Sequence, residues 1–166
     1  MTAPKGFWIC FLATLSLLIV VNMDIVKKER QLAQGTVVRV ALAPVDPRSL
    51  MQGDYMALSY ALEDGIQAAL TQDELTRNID GYFWVSLDDR QVAHFIAIDR
   101  GALAPEHALR LQFRQRERTV KLASNAWFFQ EGQAARFALA RYGEFRLGSD
   151  GSLLLAALLD EKLNRL

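Results

Sequence analysis

Two hydrophobic patterns divide this chain. From Gly6 to Met23 no position carries a charge (GFWICFLATLSLLIVVNM), and the run is almost wholly apolar. Coiled as a helix with a rise of 1.5 Å per residue, it is about 27 Å long, close to the roughly 30 Å hydrocarbon core of a bilayer. Thr14, Ser16 and Asn22 interrupt the run only slightly, because the hydroxyls can bond back to the helix's own carbonyls. Phe7 and Trp8 stand at one end, where aromatic rings favour the membrane interface. The run ends in VVNMDIVKKER without the small-residue A-x-A pattern of a cleavage site, so an uncleaved anchor is expected rather than a removed signal peptide. Asp24 to Gln34 is charged and helix-compatible, and Gly35 follows as a stop. Residues 1–34 therefore read as a transmembrane anchor with a helical stalk.

Beyond Gly35 the period shortens to that of strands. Thr36 to Val45 is rich in valine and bounded by Gly35 and Asp46-Pro47, which predicts a strand, and a long turn (DPRSLMQGD) follows. Tyr55 to Leu62 predicts a second strand, closed by Glu63-Asp64-Gly65. Thr71 and Glu74 are spaced as a capping box, predicting a short helix or loop over residues 71–80. Gly81 to Leu87 and Gln91 to Ile98 form a hairpin across Asp88-Asp89-Arg90. In the run from His107 to Leu122, Leu109, Leu111 and Phe113 alternate with Arg110, Gln112 and Arg114, giving one buried and one wet face. Gln133 to Ala140 is helix-compatible. Tyr142 to Leu147 and Ser152 to Leu158 close the chain as a hairpin across Gly148-Ser149-Asp150-Gly151. Residues 35–166 are thus expected to form one β-rich α+β domain with antiparallel hairpins.

Charge and composition narrow the chemistry. Lys plus Arg equals Asp plus Glu at 19 each, so the basic surplus that nucleic-acid binding requires is missing. The sole cysteine, Cys10, lies in the apolar run, which excludes disulfides and thiolate metal sites from the domain. His94 and His107 have no ligand spacing around them, and the glycines are scattered rather than gathered into a phosphate-binding loop. No metal and no cofactor are expected. A serine–lysine hydrolase would have to pair Lys121, the only lysine between Lys28 and Lys162, with Ser49 or Ser59, and no nucleophile segment accompanies them. Asp88-Asp89 and Glu63-Asp64 read as solvated turn residues. Arg114, Arg116 and Arg118 would share one strand face, either solvated or turned to anionic headgroups or an acidic partner.

One string stands apart. Gly53-Asp54-Tyr55-Met56-Ala57-Leu58-Ser59-Tyr60 spells G-D-Y-x-x-L-x-Y and follows Asp46-Pro47-Arg48. It resembles the signature of the bacterial GDYXXLXY family, small membrane-anchored proteins without an assigned chemistry. Phe128-Phe129-Gln130-Glu131-Gly132 is similar to the aromatic F-x-x-E-G segment late in that family. The resemblance implies a soluble domain exported to the periplasm from the inner membrane. It also makes a polytopic membrane protein the natural partner class, because family members tend to be encoded beside such proteins. The flanking Lys27, Lys28 and Arg30, set against Lys5, argue for the opposite orientation.

Each signature residue also has a structural reading. Strand alternation puts Asp54, Leu58 and Tyr60 on one face and Tyr55 on the other. Gly53 permits a close approach at the strand entrance, while Asp46, Arg48 and Asp54 can tie down the long turn. Glu131 can cap a helix start or pair with an arginine such as Arg48, and Gly132 permits an unusual dihedral. The expected role is a structural corner, with a partner-binding surface as the alternative. The expected function is a non-enzymatic accessory protein held to the bilayer by residues 6–23. An extracytoplasmic ligand-binding module with a pocket near Tyr55, Tyr60 and Arg48 comes second, and the hydrolase third.

Overall fold

The structure, a computed structural model, describes residues 5–43 and 55–166. A single helix, α1 (Lys5–Gln34), contains both the apolar run and the charged stalk. Its polar residues are satisfied locally: Thr14 Oγ1 donates to the Cys10 carbonyl at 2.9 Å and Asn22 Nδ2 to the Leu18 carbonyl at 2.8 Å. One stretch, Trp8–Gln34, is long and apolar enough to cross a membrane, and none of its hydrophobic window is buried by protein. Gly35 ends the helix. A Cβ there would lie 2.5 Å from the Gln31 carbonyl oxygen and 2.8 Å from that of Leu147, so a side chain is excluded where the stalk meets the domain.

The domain then runs through β1 (Thr36–Ala41), β2 (Tyr55–Ala57), α2 (Ala61–Ala69), α3 (Gln72–Thr76), β3 (Ile79–Leu87) and β4 (Ala93–Ile98). It continues with β5 (Leu109–Arg116), β6 (Thr119–Lys121), β7 (Ala126–Phe128), α4 (Ala134–Phe137), β8 (Tyr142–Leu147) and β9 (Leu153–Leu159). The strands form antiparallel sheets in the orders β1-β8-β9, β2-β7 and β4-β3-β5-β6. The first and last sheets touch where the Arg39 N–H donates to the Gln91 carbonyl at 2.8 Å, beside a parallel bridge between Arg39 and Val92. The core lies between them: Val38, Val40, Phe145 and Leu158 from one sheet face Phe83, Val85, Leu111 and Phe113 from the other. Helix α2 covers this core with Leu62 and Ile66. Gly65 lies against the Phe95 ring, which a Cβ would approach to 3.2 Å, so glycine lets α2 sit close to β4.

The α+β architecture follows the sequence reading, and both Asp-containing hairpins form as expected. Three local expectations are corrected. The strand predicted from Tyr55 to Leu62 stops at Ala57, and the chain turns helical at Ala61. Tyr60 stays extended (φ −121°, ψ 138°) and its N–H donates to the Glu63 carboxylate at 3.2 Å, so Glu63 closes a helix start rather than a turn. Glu63 and Asp64 therefore lie in the first turn of α2, where carboxylates meet the positive end of the helix dipole, and Gly65 is a helix residue.

The run from His107 to Leu122 is not one strand either. Glu117 and Arg118 both take left-handed backbone angles (φ 48° and 63°) and reverse the chain between Arg116 and Thr119. Arg118 consequently does not share a strand face with Arg114 and Arg116. Finally, the helix allowed over 133–140 shortens to α4, four residues long. The predicted capping box is present, with Thr71 Oγ1 accepting the Glu74 N–H at 3.3 Å and Glu74 Oε2 accepting the Thr71 N–H at 2.7 Å.

Candidate functional site

Tyr55 to Tyr60 follows β2 into the N-terminus of α2, and its side chains divide between two environments. Met56, Leu58 and Tyr60 point inward and are buried, while Tyr55, Ala57 and Ser59 point outward. Tyr60 is 1% exposed. Its phenol donates to the Ser124 carbonyl at 2.6 Å, and its ring meets Phe145 edge-on with centroids 5.4 Å apart. Burial, reinforced by the nearby Glu63 charge, pushes the phenol well above its ordinary range, so it stays protonated.

Backbone bonds extend the same corner. The Leu58 N–H donates to the Asn125 carbonyl at 2.8 Å, and the Ala43 N–H to the Ser59 carbonyl at 2.9 Å. Glu63 joins α2 to β6: one carboxylate oxygen takes the Tyr60 N–H and the other takes the Leu122 N–H at 3.3 Å. Burial raises the Glu63 carboxyl above its ordinary value, with those N–H groups opposing the shift.

Tyr55 faces the other way. In the β2–β7 ribbon it stands opposite Phe128, with ring centroids 5.8 Å apart, and the two are 37% and 77% exposed. Behind them Trp127 and Phe129 pack on Phe137 at 6.1 and 5.1 Å. Outward-facing aromatics thus sit on an aromatic support that is tied into the core. The ribbon joins the two separately recognised strings of the sequence, since Tyr55 belongs to the first and Phe128 to the second.

Glu131 and Gly132 form an exposed turn just past this ribbon. Gly132 has φ 84°, the unusual dihedral expected of it, and Glu131 makes no ion pair among the described residues. Asp46, Pro47, Arg48, Gly53 and Asp54 lie outside the described residues, as does Ser49.

The remaining candidates have local partners. His94 is exposed on β4 with Nε2 3.4 Å from Asp88 Oδ2, and Asp88 itself accepts the N–H groups of Val92 and Arg90 at 2.8 and 2.9 Å. Those bonds, the Val92 one foremost, hold the Asp88 carboxyl below its usual range. His107 is exposed at a left-handed φ of 57°. No group of three His, Cys, Asp or Glu residues that could hold a metal occurs among the described residues. No hydrogen bond links Ser59 to Lys121 among the described residues. Arg116 pairs with Asp80 at 2.8 Å and bonds the Ile79 carbonyl at 3.0 Å, while Arg114 reaches the Ala123 carbonyl at 3.4 Å.

Sequence reasoning missed two further constellations. On the outer face of the β1-β8-β9 sheet, buried Glu144 is held by Arg165 at 2.5 Å, with Arg39 and Arg146 each at 3.9 Å. Between stalk and domain runs a groove of about 1400 Å³. Its upper end is lined by Lys27 paired with Asp150 at 2.8 Å and by Gln31, which donates to the carbonyls of Arg146 and Ser152 at 2.9 and 3.0 Å. Across it, the Arg110 guanidinium lies 3.8 Å above the Tyr82 ring and pairs with Asp99 at 2.7 Å. Only the long-range pairing of residues far apart in sequence creates these sites.

One apolar helix of membrane-spanning length among the described residues, fixed to a β-rich domain with an aromatic ribbon on its surface, defines a candidate membrane-anchored protein. The sequence profile of the family described as GDYXXLXY protein matches residues 17–158, most of the chain. The chain belongs to the GDYXXLXY family. No curated protein and no solved structure shows significant similarity to it.

Proposed function

We propose that this chain is a non-enzymatic, single-pass interaction protein of the bacterial inner membrane, with its domain on the periplasmic side and docked on a polytopic membrane protein. The observation that carries this reading is the Tyr55–Phe128 pair: both strings of the family resemblance converge on one exposed aromatic feature. Aromatic side chains on a rigid support are the residue type from which interface anchors are built. The continuous helix α1 supports the reading further, because it keeps that surface at a set height above the bilayer. The periplasmic placement follows the family resemblance, against the flanking charges of Lys27, Lys28 and Arg30.

A ligand pocket between Tyr55 and Tyr60 is disfavoured by the same geometry. The two rings lie on opposite sides of the strand, and Tyr60 is closed off in the core.

The test is purification of the tagged, full-length protein from its own host in mild detergent, compared with the Tyr55→Ser/Phe128→Ser double variant. The expected result is a stoichiometric polytopic protein with the wild type and its loss from the variant, with thermal unfolding unchanged. A wild-type chain that purifies alone, or a partner retained by the variant, would overturn the reading.

A further inference from the structure

The groove between stalk and domain has two chemically different ends. Its lower wall is α1 itself at Leu15, Leu18 and Ile19, within the segment apolar enough to lie in hydrocarbon. Its upper end is lined by Lys27 and Arg30 from the stalk and by Arg110 from the domain. Lys27 and Arg30 follow Met23, the end of the uninterrupted uncharged run, by four and seven positions. In a helix this puts them roughly 6 and 10 Å above the end of the apolar run, and a bilayer's polar zone is roughly 5–8 Å deep on each side. Lys27 thus stands at headgroup height and Arg30 just above it, its long side chain leaning back toward the helix N-terminus and so toward the headgroups, while the apolar wall below them stands at acyl-chain height.

The charges at the mouth are unequal. Lys27 is matched by Asp150 and Arg110 by Asp99, whereas Arg30 has no ion pair among the described residues. Three cations against two carboxylates leave one positive charge beside the Tyr82 ring and the hydroxyl-bearing turn at Ser149. A single phosphodiester, carried on acyl chains that follow Leu15, Leu18 and Ile19 downward, complements this site in both charge and polarity.

We infer that the groove holds one anionic phospholipid of the surrounding bilayer, its headgroup between Arg30 and Arg110 and its chains along α1. The site rests on the membrane-anchor reading and is independent of the protein partner and of the Tyr55–Phe128 surface.

Native mass spectrometry of the full-length protein in detergent, with phosphatidylglycerol or phosphatidylcholine of identical chains added, tests the site. One phosphatidylglycerol per chain is expected, retained in preference to phosphatidylcholine. Arg30→Gln should cut that preference by roughly fivefold, the scale of one cation near an anionic lipid surface, and Arg30→Lys should restore it. Arg30 is exposed, so these variants leave the fold intact. An excess of glycerol 1-phosphate should displace nothing, because the chains contribute to binding. Equal retention of the two lipids, a preference untouched by Arg30→Gln, displacement by glycerol 1-phosphate, or a co-purified protein helix in the groove would each overturn the site. Alkaline carbonate extraction keeps the two readings distinct. A chain that stays in the membrane yet shows no preference sinks the lipid site alone, and a chain that is released sinks the anchor as well.

Discussion

Tyr55 and Tyr60 are the same residue type in the same short string, yet they occupy opposite environments. Tyr60 is enclosed, hydrogen-bonded through its phenol to Ser124 and packed on Phe145. Tyr55 lies on the surface against Phe128, with no core contact demanded of it. The difference follows from strand parity and from the helix that begins at Ala61. A signature of this kind does not describe one job: among its described residues Leu58 and Tyr60 fix a corner of the fold, and Tyr55 is presented to solvent.

Substitutions at the buried side should break this contrast most severely. Tyr60→Ala removes a large, fully enclosed side chain and should cost about 3–5 kcal/mol, read as a drop in denaturant midpoint. Tyr60→Phe keeps the ring and leaves the Ser124 carbonyl without its donor, so about 1–2 kcal/mol should be lost at unchanged secondary structure. If Tyr60→Phe were neutral, the corner would rest on packing alone.

The two capping carboxylates sharpen the comparison through pH. Glu74 is held at about 2, chiefly by its bond to Arg100 and then by Thr71. A lowered acid gives stability that is present above its unfolded value and lost as pH falls, here from about 4.5 toward 2. Glu63 is raised by burial, so its contribution has the opposite sign: it is full below the unfolded value and declines as pH rises through the folded one. Unfolding curves of Glu74→Gln should therefore lose part of the acid-side decline at a cost of about 1 kcal/mol for the weakened cap, whereas Glu63→Gln should flatten a decline on the side above pH 4.5. The same pH dependence in both variants would contradict the two environments.

The smallest effect is expected at the exposed half of the ribbon. Phe128→Ser should change stability by no more than about 0.5 kcal/mol, as surface substitutions generally do, while removing most of the outward aromatic area. A loss of several kcal/mol would make Phe128 a structural residue and erase the distinction.

What could be read from the chain depended on how local the determining contacts are. The long apolar helix, the hairpins at Asp88–Arg90 and Gly148–Gly151 and the Thr71–Glu74 cap rest on neighbouring residues, and each was legible. The start of α2 was not, because YMALSYAL has the β-type composition of a strand. The four-residue spacing of Leu62, Ile66 and Leu70 was the signal for a helix, and it lay hidden in that apolar run. The reversal at Glu117-Arg118 lacked any glycine or asparagine to announce it. The pairing of Tyr55 with Phe128 and of Lys27 with Asp150 links segments far apart in sequence, beyond the reach of periodicity.

The junction at Gly35 gives the anchor a mechanical meaning. Helix α1 passes without a break from apolar run to stalk, and Gln31 and Lys27 clamp it to the β8–β9 hairpin where it enters β1. There is no slack linker at this junction to absorb rotation, so under the proposed anchoring helix and sheet would move as one lever with its fulcrum in the bilayer. Helices longer than the local hydrocarbon thickness tilt to fit it. In this molecule such a tilt would swing the aromatic ribbon through the same angle, turning a change in membrane thickness into a change in where Tyr55 and Phe128 point.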